Sequence, residues 1–216
     1  MKIGVFDSGI GGLSVAQAID RALPGHEVVF RHDTPEHFPY ATKAPDEIFS
    51  FAIPIVQSLV DEGCQVVVIA CNTVSTTLIG RLRGYFSVPL VAAEPMVRPA
   101  AEQTKTGIIA VCATPTTLAS SRYAELKRLY AADVKVLEPD CANWSWLIEH
   151  NEINEATLRQ VIEPVIEAGA DVIVLGCTHY HWIEDQIQEI ASLQADVMQP
   201  ETAIVAELKR VIARLA

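Results

Sequence analysis

No part of this sequence is basic. Lysine and arginine never gather into a stripe and the net charge is −11, so nucleic-acid binding is not expected. No apolar run approaches the length of a membrane span. The opening residues, Met1 to Asp7, lack the long apolar segment and small-residue cleavage site of a secretory signal. The expectation is a cytoplasmic protein with no membrane contact. The five cysteines are odd in number, widely spaced and without a CxxC pair. That excludes a zinc ribbon or a disulfide framework and points to reduced thiols. No Ser/Gly-rich linker interrupts the chain, so any two lobes are expected to pack closely.

Half of the 216 residues are hydrophobic, enough for one large domain or two small ones. Strand and helix patterns alternate from end to end. Strands are predicted at 3–6, 27–31, 65–70, 89–93, 107–111, 134–137, 171–175 and 196–198. Helices are predicted at 13–23, 46–62 with a kink at Pro54, 74–86, 96–103, 116–130, around 142–150, 154–168, 182–192 and 202–215. This alternation reads as α/β architecture with mainly parallel sheets flanked by helices.

Two stretches stand out. Val66-Val67-Val68-Ile69 leads into Ala70-Cys71-Asn72-Thr73, and Val172-Ile173-Val174-Leu175 leads into Gly176-Cys177-Thr178-His179. An unbroken β-branched run reads as a strand buried on both faces. Each thiol therefore follows a strand and precedes a helix, which is where open α/β sheets bind ligands. The segment 61–71 aligns without gaps on 167–177, and the same offset sets Ser8 opposite Thr114. The chain thus reads as two pseudo-symmetric α/β lobes, 1–93 plus 200–216 and 94–199, with the active site between them. Each lobe would contribute a hydroxyl and a thiol. The bland alternative is that buried parallel strands all draw on the same few residues.

A thiol at a helix start is expected to ionise more easily, because unpaired N–H groups give partial positive charge there. Most cysteines are simply small buried hydrophobes, and Cys64, Cys112 and Cys141 are read that way. Polar residues follow Cys71 and Cys177, which suits a site better than a core. Two thiols around one ligand suggest removal of a proton from one face of a carbon and its return to the other. Asp7 could assist one thiol and His179 the other. The plainer roles are a helix cap for Asp7 and a surface or core imidazole for His179. The turn Gly9-x-Gly11-Gly12 could cradle an anion, but it fits neither the dinucleotide fingerprint nor a Walker loop. Cys177-x-His179-x-His181 lacks a second ligand group at zinc-like spacing, so no metal is expected.

Gly4-Val5-Phe6-Asp7-Ser8-Gly9-Ile10-Gly11-Gly12, Asp33-Thr34, Phe38-Pro39-Tyr40, Ile69-Ala70-Cys71-Asn72-Thr73 and Leu175-Gly176-Cys177-Thr178-His179-Tyr180 together resemble the glutamate racemases, within the wider aspartate/glutamate racemase family. The resemblance covers nearly the whole chain. It implies a cofactor-independent racemase in which Cys71 takes the α-proton from D-glutamate and Cys177 from L-glutamate. Asp7 and His179 would assist these thiols, with Glu149 as a further acidic group near the site. Asp33 matches another acidic position of the family. Ser8, Asp33, Pro39, Tyr40, Ala41, Asn72, Thr73, Thr114 and Thr178 would bind the amino-acid substrate. The resemblance also implies supply of D-glutamate for bacterial peptidoglycan, and a homodimer as the expected assembly.

The sequence departs from that pattern at three places. Ala41 stands where the family usually has Gly, Glu36-His37 replaces the usual Ala-Arg, and the segment at Trp144-Ser145-Trp146 is bulky. These changes bear on the side-chain pocket and leave three alternatives open. They are a racemase of aspartate or another amino acid, a cysteine-dependent dicarboxylate isomerase, and a binding protein that has lost turnover.

Overall fold

The computed structural model describes residues 1–215. The chain divides into two compact units, one formed by Met1–Glu94 with the C-terminal segment from Glu201, the other by Pro95–Pro200. The first unit contains β1 (Lys2–Asp7), α1 (Leu13–Ala22), β2 (Glu27–His32), α2 (Pro45–Asp61), β3 (Val66–Ile69), α3 (Asn72–Tyr85) and β4 (Leu90–Ala92). The second contains α4 (Val97–Gln103), β5 (Ile108–Ala113), α5 (Pro115–Leu118), α6 (Ser121–Tyr130), β6 (Lys135–Leu137), α7 (Trp144–Glu149), α8 (Glu155–Glu167), β7 (Val172–Gly176), α9 (Glu184–Ala191) and β8 (Asp196–Met198). The closing helix α10 (Glu201–Leu215) belongs to the first unit.

Each unit has a four-stranded sheet, ordered β2-β1-β3-β4 in the first and β6-β5-β7-β8 in the second. Every strand pair is parallel. The repeat survives at the level of register. Ile3 pairs with Val66 and Phe6 with Ile69; the residues 106 positions later, Ile109 with Val172 and Cys112 with Leu175, pair in the same way. In both sheets the strand order reverses between the first strand and its neighbour that carries the thiol, the kind of switch point that opens a crevice at the carboxyl ends.

The strands lie between two apolar layers because alternate side chains point to opposite faces. In the first unit Phe6, Val67 and Ile69 pack with Ile48, Val56 and Leu59 of α2 and Leu78 of α3. Ile3, Val5, Val66 and Val68 pack with Val15 and Ile19 of α1 and Ile204 and Leu208 of α10. In the second unit Cys112, Ile173 and Leu175 meet Leu158 and Ile162 of α8 and Ile187 of α9. Ile109, Val111, Val172 and Val174 meet α4 and α6. Each fully buried aliphatic side chain contributes about 1.5–3 kcal/mol.

Three element boundaries differ from the sequence reading. The segment 116–130 is two helices, because Ser120 is extended (φ −70°, ψ 145°) and its hydroxyl caps the N–H of Tyr123. The segment 182–192 is preceded by a 3-10 helix, Thr178–Ile183, and α9 begins only at Glu184. The helix after Cys71 begins at Asn72 rather than Val74. α2 runs through Pro54 as one element.

Candidate active site

Cys71 follows β3 and is itself the N-cap residue of α3. The strand ends there because the next residues turn into the helix, which leaves the thiol beside N–H groups that have no partner within the helix. Ser8, the residue after β1, places its Oγ 3.2 Å from the Cys71 sulfur. Adjacent strands in register bring these two strand ends together, so the contact spans 63 residues of sequence. Both residues are buried.

Asp7 closes β1 and is fully buried. Its Oδ2 accepts the Gly12 N–H at 2.7 Å. One N–H of the glycine-rich turn is thus taken by the chain's own Asp7 carboxyl group. Gly12 is required by proximity, since a Cβ there would stand 2.5 Å from the Asp7 Cβ. The N-cap residue of α1 is Gly12, with no side-chain cap bond, so Asp7 binds the N–H of the cap residue and is not itself the helix cap weighed from the sequence.

Asn72 presents a different situation. The residue is buried, and neither its amide oxygen nor its amide nitrogen finds a partner among the described residues. An unsatisfied buried amide costs about 1–3 kcal/mol, and such groups mark positions where a bound molecule supplies the missing partners. Thr73, next along α3, is also buried.

The loop after β2 brings in Asp33, Pro39, Tyr40 and Ala41. Asp33 is buried and accepts from the Thr34 N–H at 2.7 Å and the Tyr40 hydroxyl at 2.5 Å. Burial, then the bond to Asp33, then the nearby charges of Cys71 and Asp7 hold the Tyr40 hydroxyl far above its ordinary range, so it stays a donor. Ala41 lies in the 3-10 turn Tyr40–Thr42. Among the described residues the only non-glycine positions with positive φ are Asn151 and Ser192, so alanine is accommodated at position 41 without strain.

In the second unit Cys177 follows β7 and opens the 3-10 helix Thr178–Ile183. Gly176 precedes it because a Cβ there would come within 2.9 Å of the Ala113 Cβ on β5. His179 is buried, with Nδ1 3.9 Å from the Cys177 sulfur and Nε2 2.5 Å from Glu149 Oε2. When Nε2–H donates to Glu149, the Nδ1 lone pair faces the thiol; protonated, the imidazolium would pair a thiolate. Thr178 is buried beside it. Thr114, the repeat partner of Ser8, is buried and caps α5: its Oγ1 accepts the Thr117 N–H at 3.3 Å and donates to the Thr117 hydroxyl at 3.0 Å.

Within the first unit Asp7, Ser8, Asp33, Tyr40, Cys71, Asn72 and Thr73 cluster around the carboxyl ends of β1 and β3. Within the second, Cys177, Thr178, His179 and Glu149 do so beyond β7. The bulky segment resolves into two roles. Trp144 is wholly buried in the core, edge-on to Tyr180 with ring centroids 5.3 Å apart, whereas Trp146 is partly exposed and stacks on His150. The sequence reading missed His37, whose Nδ1 lies 2.9 Å from both oxygens of Asp33. Their spacing of four residues was the available signal. Cys64, Cys112 and Cys141 are buried in the cores, and the Cys141 thiol is pushed far up by its bond with Cys112 and by burial. Among the described residues, no group of three or more His, Cys, Asp or Glu side chains is placed to hold a metal ion, and no helix is long and apolar enough to cross a membrane.

The family model described as Asp/Glu/Hydantoin racemase matches residues 3–208 of the chain. The chain is 36% identical over 215 residues to the glutamate racemase of Herpetosiphon aurantiacus, covering 98% of this chain and 84% of that protein. Its fold is similar to that of Escherichia coli glutamate racemase, crystallised with L-glutamate and the activator UDP-MurNAc-Ala, with a TM-score of 0.90 at 28% identity over 98% of this chain and 82% of that one. An allantoin racemase from Pseudomonas fluorescens shares the fold at a TM-score of 0.61 and 21% identity, covering 99% of this chain and 91% of that one.

Proposed function

The chain belongs to the Asp/Glu/hydantoin racemase family, and from that membership we propose that it interconverts L-glutamate and D-glutamate without a cofactor. The observation that carries the reading is the repeated register, which sets Cys71 and Cys177 at equivalent strand ends of two sheets of one topology. A racemase without an electron sink needs a base on one face of the α-carbon and an acid on the other. Two thiols, one from each repeat, meet that need.

In this reading the Cys71 thiolate removes the α-proton of D-glutamate while the Cys177 thiol returns a proton to the opposite face. L-glutamate reacts with the roles exchanged. His179 and Glu149 support the Cys177 side, and the Ser8 hydroxyl steadies the Cys71 sulfur. The α-hydrogen of an amino acid is weakly acidic, so charge developing at the α-carbon and carboxylate must be stabilised by the site. The helix start at Asn72 offers N–H groups for that charge. The unpartnered Asn72 amide suits an amino-acid ligand, which brings both donors and acceptors. D-Glutamate made in this way supplies peptidoglycan synthesis.

The test is to incubate the protein with L-glutamate and, separately, with D-glutamate in heavy water. Optical rotation and α-deuterium are followed with no added cofactor. Both enantiomers are expected to reach a racemic mixture with deuterium at the α-carbon. No exchange with either enantiomer would sink the proposal, and exchange with aspartate alone would move the substrate to the shorter dicarboxylate.

A further inference from the structure

The loop between β2 and α2 holds an acid–base group that the two-thiol scheme does not use. His37 ends the 3-10 turn Pro35–His37. Its Nδ1 faces both oxygens of Asp33 at 2.9 Å. Its ring lies flat on Phe51 of α2, with centroids 3.7 Å apart and planes inclined by 8°. Two anchors, one polar and one apolar, hold the imidazole. The side chain is 36% exposed, whereas that of Asp33 is 5% exposed, so the pair runs from solvent to interior. Beyond Asp33 the path continues inward through the Tyr40 hydroxyl to the apolar cluster that contains both Tyr40 and Cys71.

We propose that His37 is a positioning residue for the Cys71 thiol, acting through Asp33 and Tyr40. The inference rests on the racemase reading above. The bond from the ring holds the Asp33 carboxylate against the Tyr40 hydroxyl, and that hydroxyl feels the charge of Cys71. Without the ring the carboxylate loses the partner that fixes it, and the polar chain leading to the Cys71 cluster loses its set geometry.

The other charges around this ring are few. Glu36 adjoins it on the same turn. Lys43 stands 5.6 Å from the Phe51 ring centroid and pairs with Glu47 of α2 at 3.4 Å, so those two largely cancel. Asp7 and Cys71 approach from the sheet side, through Tyr40.

The experiment compares wild type, His37→Gln and His37→Arg in kcat/KM for glutamate racemisation across the neutral range, with circular dichroism melts as a folding control. Arginine is a permanent cation over that range. His37→Gln is expected to lose about tenfold in kcat/KM, the rate equivalent of roughly one hydrogen bond, and His37→Arg to recover most of it. The loss is expected in kcat, with KM near that of wild type, because the ring steadies the thiol and not the substrate. A His37→Gln variant within about twofold of wild type, or a His37→Arg variant no better than His37→Gln, would overturn the inference. Should His37→Gln fail to fold, His37→Arg alone decides: activity close to wild type supports the inference and a loss of about tenfold overturns it. A wild type that racemises nothing rejects the racemase reading itself, whereas an active wild type with an unimpaired His37→Gln variant rejects only the role of His37.

Discussion

Glu149 determines how the His179 ring is presented. A buried imidazole has two nitrogens and one of them must face away from the thiol. The carboxylate 2.5 Å from Nε2 engages that nitrogen and favours positive charge on the ring as it takes a proton. Glu149→Gln keeps an acceptor oxygen but removes the charge. In the racemase reading kcat/KM should fall by about ten- to a hundredfold, the scale of a charge-assisted bond, with most of the loss in kcat. Steady-state kinetics of the variant with both enantiomers checks this, and unchanged kcat would remove Glu149 from the chemistry. His179 was legible as a candidate from its place two residues after Cys177. The bond to Glu149 was not, because thirty residues separate them and no local pattern links α7 to the strand end.

At the scale of elements, the strands were the most legible features. Val66–Ile69 and Val172–Gly176 are buried throughout, and continuous burial leaves a continuous apolar run. Helix ends were less legible because capping depends on single polar side chains. Ser120 divides α5 from α6 with a hydroxyl that accepts the Tyr123 N–H and donates to the Thr117 carbonyl, which a hydrophobic pattern does not register. The turn between β1 and α1 illustrates how one glycine serves a neighbouring element. Gly12→Ala would push a methyl group against the Asp7 side chain at 2.5 Å. Overpacking of this kind costs about 1–3 kcal/mol, and here it would also lengthen the Gly12 N–H bond to Asp7. A lowered melting temperature is expected, together with reduced racemase turnover, and calorimetry alongside an activity assay measures both. Wild-type stability in Gly12→Ala would show that the turn can move aside.

At the scale of the whole molecule, the matched register of the two sheets makes the thiols equivalent in position, while their surroundings differ. Cys71 begins an α-helix and touches the Ser8 hydroxyl, whereas Cys177 begins a 3-10 helix and faces an imidazole. Thr114, at the position equivalent to Ser8, caps α5. In the racemase reading, two thiols with different partners suit a reaction whose two faces are handled separately. In the racemase reading each thiol is one of two proton-transfer groups, so Cys71→Ala and Cys177→Ala are each expected to abolish racemisation of both enantiomers. Polarimetry on each single variant is the measurement. Near-normal turnover in either one would rule out a two-thiol mechanism.

The sequence by itself determined the α/β class, the parallel strands, the repeat and the two cysteine-bearing strand ends, because burial on both faces and helix periodicity leave their imprint on consecutive residues. Only the tertiary structure decided which polar groups meet. Ser8 reaches Cys71 because parallel register aligns the ends of β1 and β3, and Glu149 reaches His179 because α7 packs against the turn after β7. Asp33 gathers Tyr40 and His37 because the loop after β2 folds into two successive 3-10 turns. Such contacts depend on distances of a few ångströms between segments remote in the chain or folded back on themselves, and composition and spacing carry no record of them.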